Sequence, residues 1–187
     1  MTRVFDNAHL HLHTNEFKSF MRLWDYTNTT NDDLSGFRHA LEKIKETKHP
    51  LAGIEIGRYG MFMRSIAPVY VQDAYLGSIE TVVDFKELNR YFKKDDVELY
   101  VLMKKEYQSI ARALSYPEKL MLDNYIIVNQ ETNGLHFIKE LNFQGTGYFK
   151  RGDAYVLYTP IIDINGEHIG FFVLTWSESL SLASFKE

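Results

Sequence analysis

One motif occurs twice in this chain, and that duplication decides the architecture before any other signal does. Arg64 to Phe85 reads RSIAPVYVQDAYLGSIETVVDF and Val156 to Ser177 reads VLYTPIIDINGEHIGFFVLTWS, with one residue inserted in the turn of the second copy. Each copy runs through an apolar strand, a Pro (Pro68, Pro160), a polar turn carrying Asp, and a Gly (Gly77, Gly170) that opens a second apolar strand. Runs rich in β-branched and aromatic residues on either side of Gln72-Asp73-Ala74-Tyr75 and Asp163-Ile164-Asn165-Gly166 predict two long antiparallel hairpins. Proline suits a place where a strand leaves its sheet, and each glycine lets the returning strand bend or approach a neighbour closely. About 92 residues separate the copies, half of the 187-residue chain, so two tandem modules are expected, residues 1–90 and 91–187.

The flanking segments complete each module. His9 to His13 (HLHLH) and Ser19 to Trp24 (SFMRLW) alternate as half-buried strands do, and Gly53 to Arg58 (GIEIGR) starts a third run. Between them, Thr30-Asn31-Asp32-Asp33 has capping-box spacing, and Leu34, Phe37, Leu41 and Ile44 recur at helical intervals. That predicts a helix from about Leu34 to His49-Pro50, where the residue before proline leaves the α region. In the second module Val97 to Met103, Tyr125 to Asn129 and Tyr148 to Thr159 read as strands, Glu106 to Leu122 as a helix broken near Pro117, and Thr132-Asn133-Gly134 as a turn. Lys86 to Asp96, polar and charged, reads as the connection. The expected class is α+β, two tandem modules, each a mainly antiparallel sheet flanked by helices.

Composition removes several functions. Lys and Arg number 21 against 25 Asp and Glu, with no basic run, which argues against a nucleic-acid partner. There is no cysteine, so disulfides, thiolate nucleophiles and thiolate metal sites are excluded. No apolar run approaches the ~20 residues that cross a bilayer, and Met1-Thr2-Arg3 does not read as a signal peptide. Serine-hydrolase elbows, phosphate loops, HExxH and GxGxxG after a strand are all missing, so an enzyme is not expected, and no cofactor is called for.

Asp32 to Leu41 (DDLSGFRHAL), Gly53 to Arg64 (GIEIGRYGMFMR), Ala67-Pro68-Val69-Tyr70 and Leu76 to Glu80 (LGSIE), following HLHLH and SFMRLW, resemble the membrane-distal part of double Cache sensory domains. These PAS-like domains occur in bacterial chemoreceptors, sensor histidine kinases and diguanylate cyclases. The match is specific over residues 8 to 85 and thins to the hairpin pattern beyond. The resemblance implies an extracytoplasmic, periplasmic sensory domain that binds a small molecule, in a parent anchored by transmembrane helices and working as a homodimer. Family members normally open with a long helix along both modules, and little chain precedes His9. The expectation is that this helix was trimmed away or that the chain is an atypical stand-alone member.

Three groups of residues could carry the ligand chemistry. In SFMRLW, Phe20, Arg22 and Trp24 share one face by strand alternation, so Arg22 could clamp a carboxylate between two rings, or pair with a structural acid such as Asp25 or Asp33. Arg38 lies beside the apolar helical stripe, with a solvated head as the default. Glu55, Arg64 and Tyr70 belong to the third strand and the hairpin, where Glu55 and Arg64 could pair across adjacent strands or form a mixed-charge pocket with Arg58 and Tyr59. Arginines outnumber acids here, which favours small carboxylates or amino acids as ligands. His9, His11 and His13 project from one face of a strand and offer the alternative of a metal-binding sensor or metalloenzyme. Leu10 and Leu12 packing a core explain the same alternation without a metal. Tyr148, Tyr155, Tyr158 and Trp176 are expected in a core or at a dimer surface.

Overall fold

A computed structural model describes residues 8–25, 31–113, 120–129 and 143–177. The chain forms two compact units, Met1–Asp84 with Asp163–Glu167, and Phe85–Ile162 with His168–Glu187.

The first unit contains β1 (Ala8–Thr14), β2 (Ser19–Arg22), α1 (His39–Thr47), β3 (Leu51–Gly57), β4 (Gly60–Val71) and β5 (Ala74–Val83). Its strands form one antiparallel sheet in the order β2-β1-β5-β4-β3. The second unit contains α2 (Lys86–Lys93), β6 (Glu98–Lys104), a 3-10 turn at Lys105–Ser109, β7 (Tyr125–Ile127), β8 (Gly147–Arg151), β9 (Ala154–Ile162) and β10 (His168–Ser177). Its sheet order is β7-β6-β10-β9-β8, the same topology strand for strand. The α+β class and the duplication are therefore structural facts.

The paired glycines are explained by contact. A Cβ on Gly77 would lie 1.9 Å from the His13 carbonyl oxygen, and one on Gly170 would lie 1.8 Å from that of Leu102. Only a residue without a side chain lets the central strand run this close to its neighbour. Both prolines sit just past the last residue paired with the edge strand, Ile66 before Pro68 and Tyr158 before Pro160, where a missing N–H leaves no edge carbonyl unanswered.

Apolar periodicity places the first core: Leu34, Ala40, Leu41, Ile44 and Ile66 are buried together, with Phe17, Phe37 and Leu51 against them. The helix, however, starts at His39 and not near Leu34. Asp33 Oδ1 accepts from the Ser35 amide at 2.9 Å and from its hydroxyl at 2.6 Å, and Gly36 adopts φ 78°, so a side-chain turn displaces the first helical turn. Lys48 ends α1 in the left-handed conformation just before His49-Pro50. In the second unit the helix expected over Glu106 to Leu122 is only the short 3-10 turn within the described residues, and Lys86–Lys93 is helical where a connection was expected. Thr30, Pro117 and the Thr132-Asn133-Gly134 turn lie outside the described residues. Tyr158 packs against the second core, Tyr155 stacks on Trp176 at 5.4 Å, and Tyr148 is exposed.

Candidate functional site

The edge of the first sheet departs from simple alternation. Leu12 pairs with Met21 and His13 with Ser19, so Phe20 is the additional residue of a β-bulge. Ser19 and Arg22 then both turn inward and Phe20 turns out, 56% exposed. This corrects the expectation that Phe20, Arg22 and Trp24 share a face.

Beneath the sheet lies a buried cluster of charge. Arg38 Nε donates to Glu55 Oε2 at 2.6 Å, and its Nη2 donates to Glu80 Oε1. Arg64 Nη1 stands 3.1 Å from Glu80 Oε2 and its Nε 3.8 Å from Glu55 Oε2. The pairing of Glu55 with Arg64 across β3 and β4 is thus present, while Arg38, expected at a solvated edge, is 3% exposed. The late helix start explains this: Arg38 precedes α1 and its guanidinium passes under the helix, whose Ala40 amide donates to Glu55 Oε1 at 3.2 Å. Two cations and two anions buried together meet the requirement that interior charge be paired. A Cβ on Gly57 would lie 2.7 Å from Arg64 Nη2, so this glycine makes room for the guanidinium.

Glu80 was not among the sequence candidates. Its signal in the sequence is an acid in the middle of an apolar strand, and pairing of β1 with β5 sets it opposite His11. His11 and His13 approach the Glu80 carboxylate at 3.5 and 3.6 Å. Burial lowers the His11 pKa, against the pull of Glu80, and lowers that of His13 well below the usual imidazole range. Burial alone would raise the Glu80 carboxyl, but Arg64 and Arg38 overcome it and hold Glu80 well below the usual carboxylate range.

Beside this cluster opens a cavity of about 200 Å³ lined by His9, His11, Arg22, Trp24, Leu34, Phe37, Arg38, Gly57, Arg58, Tyr59, Phe62, Arg64 and Val82. Arg22 Nη2 donates to Asp32 Oδ2 at 2.8 Å, and Arg58 Nη1 reaches the same oxygen at 3.1 Å. Arg58 also lies over the Phe37 ring and Arg64 over the Phe62 ring, at 5.5 and 5.6 Å from the centroids. Four arginines therefore line the cavity, and no Asp or Glu lines it among the described residues.

The family profile described as the double sensory domain of two-component sensor kinases matches residues 3–179. This chain belongs to the double Cache sensory domains. Among solved structures, it is 15% identical to the extracellular domain of the putative histidine kinase vpHK1S-Z8, with a TM-score of 0.51 over 96% of this chain and 71% of that one. It is 16% identical to an extracellular ligand-binding receptor from Desulfohalobium retbaense, with a TM-score of 0.50, and covers 90% of this chain but only 30% of that one. A looser match, at 10% identity and a TM-score of 0.45, is the ligand-binding domain of the Pseudomonas aeruginosa PAO1 amino acid chemoreceptor PctC in complex with GABA, with 91% of this chain and 73% of that one covered. Comparison with curated proteins returned no match.

Within this Cache fold, the sequence candidates separate by position. Arg22, Trp24, Arg38 and Arg64 all line the cavity, whereas Glu55 lies buried behind it as a partner of Arg38. Phe20 borders a different, more open hollow, with Leu12, Val69 and Leu76. Tyr70 is at the far end of β4, its ring 5.5 Å from that of Tyr75, and does not reach the Cache cavity. Of the three alternating histidines, His9 is exposed and packs its ring 5.1 Å from Trp24, while His11 and His13 turn in to Glu80. No helix among the described residues is long and apolar enough to cross a membrane.

Proposed function

We propose that this chain is the extracytoplasmic, ligand-sensing portion of a membrane-anchored bacterial signalling receptor, a chemoreceptor, histidine kinase or diguanylate cyclase, and that it binds a small carboxylate in the cavity of its first module. Residues 1–90 serve as the sensor and residues 91–187 as the supporting, signal-transmitting module, in a periplasmic homodimer. One observation carries the ligand class: Arg22, Arg38, Arg58 and Arg64 line a cavity that no acid lines among the described residues. An anion entering there meets preorganised donors, with the Trp24, Tyr59 and Phe62 rings to cover its apolar part. The ligand is small, since about 200 Å³ falls below the range of drug-sized pockets. Amino acids belong to the class through their carboxylate, although no Asp or Glu among the described residues lines the cavity to meet an ammonium.

A thermal-shift screen of small carboxylates, their amides and amino acids tests the reading. At a hundredfold excess over Kd a ligand contributes about 2.7 kcal/mol, a rise of roughly 5–10 °C for a chain of this size. A carboxylate is expected to produce that rise, its amide is not, and Arg22→Ala removes the effect. Equal shifts from amides or amines, or affinity unchanged in Arg22→Ala, refute the carboxylate site.

A further inference from the structure

Two imidazoles and one carboxylate converge at the centre of the first sheet. His11 Nδ1 lies 3.0 Å from His13 Nε2, and both face the same oxygen of Glu80, at 3.5 and 3.6 Å. Donors around a tetrahedral first-row ion, with bonds near 2.1 Å, stand about 3.3–3.4 Å apart. The three separations straddle that value, so the triangle has the dimensions of one face of a coordination shell.

The rings are aimed by their other nitrogens. His11 Nε2 bonds the Ser19 hydroxyl and His13 Nδ1 bonds the Ser78 hydroxyl, both at 2.9 Å. Such outer partners fix the tautomer and orientation of histidine ligands. If each hydroxyl accepts the proton of the nitrogen it faces, the two inward nitrogens present lone pairs to each other, an arrangement that calls for a cation between them. Glu80 Oε2, the oxygen facing both rings, is fully buried; Arg64 Nη1 stands 3.1 Å away as its ion-pair partner, without the geometry of a hydrogen bond.

We propose that His11, His13 and Glu80 form a site for one divalent first-row transition ion, with zinc suited to two imidazoles and a carboxylate. His9 is not part of it, because its ring is outside, against Trp24. Arg38 and Arg64 already neutralise Glu55 and Glu80, so the dication adds two positive charges, and an anion, hydroxide or a carboxylate, at its remaining position offsets one of them. The site is independent of the carboxylate reading of the cavity and stands or falls separately.

The test is titration of the full, chelator-stripped chain with Co²⁺ followed by Zn²⁺, monitored by visible ligand-field absorption and calorimetry. One equivalent of Co²⁺ is expected to give bands that Zn²⁺ abolishes, and His9→Ala keeps them. His11→Ala and His13→Gln, each checked for native circular dichroism, lose them. Ser78→Ala weakens binding about 10- to 100-fold while the bands persist. A folded wild-type chain that takes up neither ion stoichiometrically overturns the site and leaves two neutral imidazoles sharing one proton. Loss of binding in His9→Ala equal to that in His13→Gln overturns it as well.

Discussion

Replacing Arg38 with Met leaves two buried carboxylates, Glu55 at 2% and Glu80 at 0% exposure, with Arg64 as the one remaining guanidinium of the cluster. Two positive and two negative charges become one against two. Arg64 cannot take over, since it stands 3.8 Å from Glu55 and already serves Glu80 at 3.1 Å. Removing one partner from a buried pair costs about 3–5 kcal/mol, out of a total of about 5–15 kcal/mol. With a urea dependence of about 2 kcal/mol per molar, the midpoint of the first unit falls by roughly 1.5–2.5 M. The second unit has its own core, so the assay must read the first: Trp24 fluorescence in a Trp176→Phe background, with circular dichroism in parallel. Adding Glu55→Gln removes the surplus charge and keeps an oxygen for the Ala40 amide. The double variant is expected to be more stable than the sum of the singles by about 1–3 kcal/mol. A loss below about 1 kcal/mol in Arg38→Met, or strict additivity in the double variant, would show that the cluster is solvated and not a buried ion network.

Gly77→Ala puts a methyl on a backbone of φ 145° and 1.9 Å from the His13 carbonyl, so it costs the ~1–3 kcal/mol of backbone strain and then parts β1 from β5; a Tm within 2 °C of wild type, on the order of 0.5 kcal/mol, would refute the close approach. In chelator-containing buffer, Tm is expected to fall as pH drops below about 6.5, because the unfolded chain takes protons on His11 and His13 that the folded chain, with depressed imidazole pKa values, refuses. It falls again below about 4.5, where Glu80 protonates in the unfolded but not the folded state; a Tm that is flat or rises on acidification to pH 5 contradicts the histidine assignment, and one with no further fall between about pH 4.5 and 3 contradicts that of Glu80. Phe20→Ser, at an exposed position outside the cavity, is expected to leave carboxylate affinity unchanged and stability within about 0.5 kcal/mol, whereas Trp24→Ala weakens binding; calorimetry of the two variants with the same ligand checks the bulge assignment.

Backbone-level features were legible because they rest on local chemistry. The Pro-to-Gly hairpins read directly as strands, since proline and glycine each have one dominant use there, and the stripe Leu34/Phe37/Leu41/Ile44 named the core even though its first turn is not helical. What period-two counting could not show was the bulge at Phe20, because an inserted residue reverses every later face and leaves no mark in composition. Arg38 was misplaced for a related reason: Asp33 bonding to Ser35 delays the helix, and a side chain assigned to its flank comes instead to lie beneath it. Glu80 needed the third dimension, since its partners come from β1, β4 and the segment before α1.

Strand pairing aligns the two copies residue by residue, and the alignment bears on the division of labour proposed for them. Gly77 corresponds to Gly170, so Ser78 and Glu80 correspond to Phe171 and Val173; pairing across to the neighbouring strands then matches His11 and His13 with Tyr100 and Leu102, and Arg64 with Val156. All five counterparts belong to one buried apolar cluster of the second unit. On the same scaffold, at the same positions, one copy buries hydrocarbon and aromatic rings while the other buries ions. Apolar burial contributes about 25 cal/mol per Å² with no desolvation penalty, whereas a buried ion pair is often no more stabilising than the hydrophobic residues that could replace it. Stability alone therefore gives no reason for His11, His13, Arg64 and Glu80, since the second copy shows that the fold is met by apolar residues at those positions. Their presence in the first copy alone, beside the arginine-lined cavity, is what supports assigning recognition to residues 1–90 and a supporting role to residues 91–187. Transplanting the apolar set into the first copy (His11→Tyr, His13→Leu, Arg64→Val, Ser78→Phe, Glu80→Val, with Arg38→Leu and Glu55→Leu) is the corresponding experiment. The expected product folds, by circular dichroism, and binds neither carboxylate nor metal, and retention of carboxylate binding would move the recognition site elsewhere.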